Sequence, residues 1–541
     1  MKVLILTAGI GSRLQERTKY FNKALLRVSD KAVISHTIDQ FSKDTEFVVA
    51  LGYKGDIVKQ YLTMMHPEMH FIFVDIDKYS IPGSGPGYAL MKCKEYLQDS
   101  FFYVSCDTIA FPSDKLNLKD LIYNNWVGHA SIDLKNVEKY CTILTDLTNP
   151  ESNVLDFIDK SPLGTSDAFI GLAFIKDYQD FWKAMDTNTT LIKDEIQVSP
   201  ALKSLKNLKP IKFDWWDTGS EEGLLAARNY FIDVVENLDK LDEELYFKDD
   251  FVIKYFHNES MARNRVLRAQ KLGNCVPKIL DSSKNFYKYE YTDGLDFFKI
   301  LNPEQYMSSL LDFSQKELWK EEIKLNQYES LIFKDVCKNF YLDKTLSRLE
   351  KLYEKLNIID KEDTIHYENI PSIKYMFERM PWDDIFNGLP SNFHGDWNFS
   401  NIIVDTLHNH NPIFTFIDWR QDFAGLIDYG DRYYDFAKMY AALWWPHPSI
   451  KTGQFNVRDS FGTIAPWIFI PDRLTRSSKI LDNWLFDNRY DIRKTRLLTA
   501  IVWLNMAPLH EFPLDEHLYY SGKYLLYKTL ICGKIRGRDE Q

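Results

Sequence analysis

Residues Lys2-Val3-Leu4-Ile5-Leu6 form a short apolar run that passes directly into Thr7-Ala8-Gly9-Ile10-Gly11-Ser12-Arg13-Leu14. A run that is apolar without alternation is covered on both faces, the situation of a strand in a parallel sheet. Two glycines in the turn let the backbone approach phosphate oxygens closely. Successive N–H groups of Ala8, Gly9, Gly11 and Ser12, with the charge of Arg13, can compensate those oxygens, so the turn is a candidate triphosphate cradle. The pattern alone also opens dinucleotide folds. The alternation continues: Val48 to Leu51 reads as a strand, Asp56 to Leu62 as a helix and Phe101 to Ser105 as a further strand. The N-terminal part is therefore expected to be α/β, with a mostly parallel sheet.

The strand Phe101 to Ser105 ends at Cys106-Asp107-Thr108. An acid at the carboxyl end of a parallel strand sits where such sheets bind ligands, which makes Asp107 a candidate magnesium ligand. A second constellation lies far downstream, at His394-Gly395-Asp396-Trp397-Asn398-Phe399-Ser400-Asn401 and Phe416-Ile417-Asp418-Trp419. An acid and an amide five residues apart, followed by a second acid at the end of a β-like run, are what metal-assisted phosphoryl transfer requires. Asp396 is the candidate base; Asn401 and Asp418 are the candidate metal ligands.

The two constellations resemble different families. His-Gly-Asp-x-x-x-x-Asn with a downstream Ile-Asp-Trp resembles the aminoglycoside phosphotransferase and choline kinase families. Asp428-Tyr429-Gly430-Asp431-Arg432-Tyr433-Tyr434-Asp435-Phe436-Ala437 resembles the element that anchors their catalytic loop, with Asp431 and Asp435 structural. That resemblance implies a bilobal α+β domain. In it Lys254, from Phe251 to Phe256, would reach the α and β phosphates of ATP, and the backbone around Glu290 and Tyr291 would bond the adenine edge. Two departures stand out: no Gly-rich loop precedes Lys254, and no obvious helix glutamate pairs with it.

Ala8-Gly9-Ile10-Gly11-Ser12-Arg13-Leu14 followed by Asn22-Lys23-Ala24-Leu25 resembles the signature of the sugar-phosphate and phosphocholine nucleotidyltransferases, with Asn22 and Ala24 replacing the usual prolines. The resemblance implies a Rossmann-like sheet, with Arg13 and Lys23 stabilising charge at the α-phosphate. It also implies a base-contacting loop at Gly83 to Gly87, including Gly85 and expected to become helical only after Gly87. Phe213-Asp214-Trp215-Trp216-Asp217-Thr218-Gly219 resembles the family's Trp-x-Asp-x-Gly element, and by it Asp217, in preference to Asp214, is the second magnesium ligand. Glu195 is either an acceptor contact or an exposed helix charge.

At 541 residues the chain exceeds one compact core. Domains are expected at 1–235 and 236–541, the first closing on a helix from Glu221 to Val235. A formal net charge of -11 argues against a nucleic-acid partner. No apolar run approaches the ~20 residues of a membrane span, and Met1 to Leu6 lack the features of a secretory signal. The six cysteines are widely spaced, so a cytoplasmic, reducing location is expected. Nine of the thirteen tryptophans follow residue 300; they could cage a quaternary ammonium, stack on a sugar or fill the core.

A kinase makes a phosphomonoester and a nucleotidyltransferase consumes one. The expected protein is a bifunctional, Mg²⁺-dependent enzyme that phosphorylates a small alcohol, choline-like or polyol, with ATP and couples the product to a second nucleotide, CTP favoured, with release of pyrophosphate. Such activated groups decorate surface polysaccharide. One alternative is a sugar kinase fused to a sugar-1-phosphate nucleotidyltransferase. The other is a protein in which one domain is a non-catalytic pseudoenzyme with a binding role.

Overall fold

A computed structural model describes residues 1–114, 116–145, 153–188, 191–192, 194–231, 240–320, 323–405 and 412–533. It divides into two compact units, Met1–Ala262 with Leu280–Tyr289, and Arg263–Ile279 with Glu290–Gln541. The boundary expected at 235/236 lies outside the described residues.

The first unit is built on a ten-stranded sheet. Its main path uses β1 (Lys2–Leu6), β2 (Glu46–Leu51), β3 (His70–Asp75), β4 (Phe101–Ser105), β5 (Thr108–Pro112), β6 (Trp126–Ser131), β7 (Asp167–Ile175) and β8 (Lys209–Asp217), in the order β3-β2-β1-β4-β7-β6-β8-β5. Strands β3, β2, β1 and β4 are parallel. Antiparallel pairing begins at β7, and β6 with β8 is parallel again. The expected α/β class with a large parallel core is what forms. Val3, Leu4 and Ile5 are fully buried, as strands covered on both faces must be.

Register places the ligand-binding edge. Leu6 pairs with Ala50 on one side and Ser105 on the other, so the Gly-rich turn leaves the sheet beside the Asp107 turn. Asp217 pairs with Thr108, the residue after Asp107. The helix Pro86–Lys92 starts earlier than expected, with Gly87 in its first turn. Proline at the first helical position needs no N–H partner, so Pro86 opens the helix instead of blocking it. The helix after β8 is described over Glu221–Tyr230, and positions 232–235 of its expected span lie outside the described residues.

The hairpin Glu243–Lys248 and Phe251–Phe256 also belongs to this unit. Tyr246, Ile253, Tyr255 and Phe286 join the same core as Leu25 and Phe47.

The second unit packs helices Lys344–Leu356, Arg432–Trp444, Ile492–Met506 and Leu514–Leu530 around one apolar core. Its catalytic-type stretch precedes an antiparallel strand pair, Ile402–Asp405 and Ile413–Phe416. Within the mostly helical C-terminal part, Phe455–Ser460 and Thr463–Ile468 form a hairpin. Phe461 and Gly462 both adopt positive φ, the geometry of a tight two-residue turn. Among the described residues no helix is long and apolar enough to cross a membrane.

Candidate active sites

The first unit contains a cleft of about 1350 Å³ whose wall includes Ala8, Gly9, Gly11, Ser12, Arg13, Lys23, Gly85 and Asp217. That volume exceeds an ordinary small-ligand pocket and suits a nucleotide with a second substrate. Lys23 Nζ lies 2.6 Å from Asp107 Oδ2, and Ser105 donates to Asp107 Oδ1 at 2.5 Å. Burial alone would raise the Asp107 pKa; the Lys23 ammonium outweighs it and holds the carboxyl at about 2. Asp217 moves the other way, raised first by burial and then by the charge of Asp107. Arg13 Nη1 is 3.8 Å from Asp217 Oδ2, and Tyr140 donates to the same oxygen at 3.0 Å.

Two carboxylates that repel each other in a buried place are a natural seat for a hard cation, and magnesium commonly uses one or two carboxylates with substrate phosphates. Gly219 marks how tightly they converge. A Cβ there would lie 2.6 Å from Asp107 Oδ2, 3.0 Å from Asp217 Oδ1 and 3.0 Å from Arg13 Nη2. Gly223 is equally constrained, because a Cβ would fall 1.8 Å from the Asp217 carbonyl. Among the described residues no cluster of three His, Cys, Asp or Glu side chains forms a metal site.

Asn22 shows what replaces the expected proline. Its buried amide donates to the carbonyls of Thr7 at 2.8 Å and Tyr53 at 2.7 Å, and its Oδ1 accepts from Ala24 N at 2.9 Å. These bonds tie the Lys23 turn to the cradle. Gly85, at φ 106°, runs against Glu195 and Ile196: a Cβ would meet Glu195 Cβ at 2.7 Å. Glu195 lies in a two-residue strand and lines the cleft, not on an exposed helix.

Lys254 is buried in the strand Phe251–Phe256, with Glu243 Oε2 at 3.7 Å on the paired strand. The partner expected from a helix is therefore supplied by the neighbouring strand. Glu290 uses its backbone N–H on the Lys278 carbonyl at 3.0 Å, and Tyr291 is exposed.

In the second unit, Asp396 and Asn401 meet: Asn401 Nδ2 donates to Asp396 O at 3.0 Å and to Oδ2 at 3.1 Å. Lys438 Nζ is 2.7 Å from Asp396 Oδ1. Burial raises the Asp396 pKa, and Lys438 more than reverses it. His394 accepts from Asp396 N at 3.2 Å through Nδ1, so its Nε2–H donates to Ile417 O at 3.0 Å. Burial pushes that imidazole down to about 4, leaving it neutral. Asp435 accepts from His394 N at 2.8 Å, Gly395 N at 2.7 Å and Trp319 Nε1 at 2.9 Å, which fixes the loop. Asp418 has a left-handed backbone, φ 57°, and pairs with Arg265. Its carboxylate and the Asn401 amide are hard oxygen donors of the kind magnesium takes.

Several of these contacts carry no signal in the sequence. Tyr140, Lys438 and Arg265 reach their carboxylates from distant elements.

Residues 3–118 match the model of the MobA-like NTP transferase domain, and residues 346–455 that of the phosphotransferase enzyme family. The chain joins an NTP transferase domain to a phosphotransferase domain. Both are enzyme families. The phosphotransferase match contains Asp396, Asn401, Asp418 and Lys438; the NTP transferase match contains Arg13, Lys23, Gly85 and Asp107. Among curated proteins, the chain is 24% identical over 263 residues to the bifunctional protein GlmU of Methanocaldococcus jannaschii, covering 47% of this chain and 60% of that one. It is also 24% identical over 247 residues to the mannose-1-phosphate guanylyltransferase catalytic subunit beta of Dictyostelium discoideum, covering 44% and 66%. The chain thus spans about 60% of the length of the first of these relatives. A UDP-glucose pyrophosphorylase structure aligns at 19% identity and TM-score 0.37, over 42% of this chain and 97% of that one.

Proposed function

We propose that the phosphotransferase domain phosphorylates a small alcohol with ATP and that the NTP transferase domain couples the phosphomonoester to a second nucleotide, CTP favoured, releasing pyrophosphate. The observation that carries this reading is a pair of carboxylate centres, one in each unit, each matched by a partly buried lysine: Asp107 with Lys23 at 2.6 Å and Asp396 with Lys438 at 2.7 Å. Magnesium, held by Asp107 and Asp217 in one domain and by Asn401 and Asp418 in the other, would supply charge neutralisation at the phosphate oxygens.

The protein's own groups do the rest. Asp396, ionised beside Lys438, accepts the proton of the attacking hydroxyl. Neutral His394 and braced Asp435 hold its loop, so that the carboxylate is positioned before the substrate arrives. In the other domain Lys23 and Arg13 compensate charge building at the α-phosphate, while the cradle N–H groups hold the remaining phosphates. Keeping both steps on one chain raises the local concentration of the intermediate. A nucleotide-activated phosphoalcohol of this kind would serve surface polysaccharide decoration.

The likeness to the Dictyostelium mannose-1-phosphate guanylyltransferase subunit favours a second reading, a sugar kinase with a sugar-1-phosphate nucleotidyltransferase. Mass spectrometry of the full chain with magnesium, ATP, CTP or another nucleoside triphosphate, and a panel of alcohols and free sugars separates the two. A phosphorylated alcohol followed by its cytidylyl conjugate supports the first reading; a nucleotide sugar supports the second.

A further inference from the structure

Asp396 is bordered by more positive charge than it neutralises. Beyond Lys438, Arg420 donates its backbone N–H to the His394 carbonyl at 2.9 Å. Its side chain packs on Gly395, where a Cβ would lie 2.5 Å from Arg420 Cβ. The Arg420 guanidinium is 5.1 Å from the Phe340 ring centroid, and Lys344 Nζ is 4.3 Å from the same centroid. One helical turn later, Arg348 donates to the Asn505 carbonyl at 2.9 Å. A π-helical turn, Asn339–Asp343, leads into Lys344, and such turns are frequent at functional sites.

Among the described residues no carboxylate pairs with Lys344, Arg348 or Arg420. Arg420 Nε donates instead to the backbone carbonyl of Asp422 at 3.0 Å. The Asp422 carboxylate opposes these charges at Lys344. Burial, then Arg420, Arg348 and Lys438, push half-buried Lys344 down to about 7. Uncompensated cations in a partly desolvated place attract anions and repel cations. Trp397 and Trp419, beside Asp396 and Asp418 in the sequence, are 0% and 1% exposed, within the core, and offer no cage for a quaternary ammonium.

We infer that the alcohol phosphorylated at Asp396 carries an anionic group of its own, a carboxylate or a phosphate, seated against Lys344, Arg348 and Arg420. The inference rests on the phosphotransferase reading above and narrows its acceptor to hydroxy acids and phosphorylated polyols, away from choline. The acceptor hydroxyl passes its proton to Asp396 as its oxygen bonds the γ-phosphorus of ATP; the β–γ bridging bond breaks and ADP leaves. The anionic group takes no part in bond making and fixes the orientation.

The test is phosphoryl transfer by the full chain from radiolabelled ATP to glycerate, glycerol 3-phosphate, glycerol and choline. One of the two anions should exceed glycerol in kcat/KM by about tenfold or more, as a charge-assisted contact implies, and which one does so distinguishes carboxylate from phosphate. Lys344→Gln should lower that anion-to-glycerol ratio by about tenfold, and Arg348→Gln serves as the second variant should Lys344→Gln fold poorly. Preference for glycerol or choline overturns the inference. So does an unchanged ratio with a raised KM for ATP, which assigns the cations to the triphosphate. If no alcohol is phosphorylated, the phosphotransferase reading is what fails. Calorimetry with glycerate and glycerol 3-phosphate then decides the anion site alone: binding that Lys344→Gln weakens sustains it, and no binding overturns it.

Discussion

The Tyr246 hydroxyl donates to the Leu25 carbonyl at 2.7 Å, joining a strand of the hairpin to the turn that carries Lys23. Tyr255 repeats the arrangement on the Tyr20 carbonyl, also at 2.7 Å. The position of Lys23 therefore depends on residues more than two hundred positions later in the chain. Tyr246→Phe leaves a buried carbonyl without its donor and should lower the unfolding free energy by ~1–2 kcal/mol. Denaturant unfolding checks the stability, and the KM for the coupled nucleotide should rise with it.

Lys23→Met removes the cation beside a buried carboxylate. Nucleotidyl transfer should fall by ~10²–10³-fold, the usual loss of a preorganised charge donor, while phosphorylation of the alcohol persists. Stability changes with a definite sign. Asp107 has a depressed pKa in the folded state, so its contribution is present above the unfolded carboxylate value and is lost as pH falls toward 2. Without Lys23, burial lifts the Asp107 pKa, so that acid-side loss should shrink or reverse, which unfolding midpoints between pH 5 and 2 would record.

What was legible in the sequence has a physical pattern. Asp107 follows its strand by two residues, and Asp396 and Asn401 share one loop, so local spacing reveals them. Tyr140 and Lys438 approach from separate elements, and a lone tyrosine or a helix lysine has no local signature. The helix starts at Pro86 and not after Gly87 as expected; the packing of Gly87 against Ile196, where a Cβ would lie 2.6 Å from Cγ2, explains that glycine instead. Membership of the hairpin in the first unit rests on the burial of Tyr246 and Ile253, which only tertiary packing decides.

Gly219→Ala should separate the site from the fold. The added methyl meets both magnesium-candidate carboxylates and Arg13 at 3.0 Å or less, distances at which something must shift. Circular dichroism should be unchanged, and nucleotidyl transfer should fall by ~10²-fold or more with a raised magnesium requirement. Unaltered magnesium dependence would remove Asp217 and Asp107 from the metal site.

His394 should stay neutral through the physiological range. Its pKa is held at about 4 by burial, so between the ordinary imidazole value and pH 4 the unfolded chain binds a proton at this position that the folded chain does not. Stability at this site is full above the unfolded value and falls as the solution is acidified. Selective ¹³C-histidine labelling should show a resonance that does not titrate above about pH 5, assigned by its loss in His394→Gln; titration near the ordinary value would contradict the bond network around Asp396.

Inactivating each centre separately tests whether the two chemistries run in series. Asp396→Asn removes the proposed acceptor of the hydroxyl proton, so it should abolish the phosphorylated intermediate yet still convert supplied phosphoalcohol to its nucleotide conjugate. Asp107→Asn should do the reverse, accumulating the phosphoalcohol without the conjugate. Mixed in equal amounts, the two variants can regain the full sequence only through intermediate released into solution, so conjugate should appear after a lag that shortens as enzyme concentration rises. In the unaltered chain every molecule carries both sites, and a lag shorter than that of the mixture at the same number of sites is the expected mark of intermediate passed on before release. Liquid chromatography with mass detection follows both products in one reaction. Conjugate formed by Asp396→Asn from the free alcohol and ATP would break the assignment of Asp396, and equal lags for the mixture and the intact chain would show that joining the domains gives the intermediate no head start.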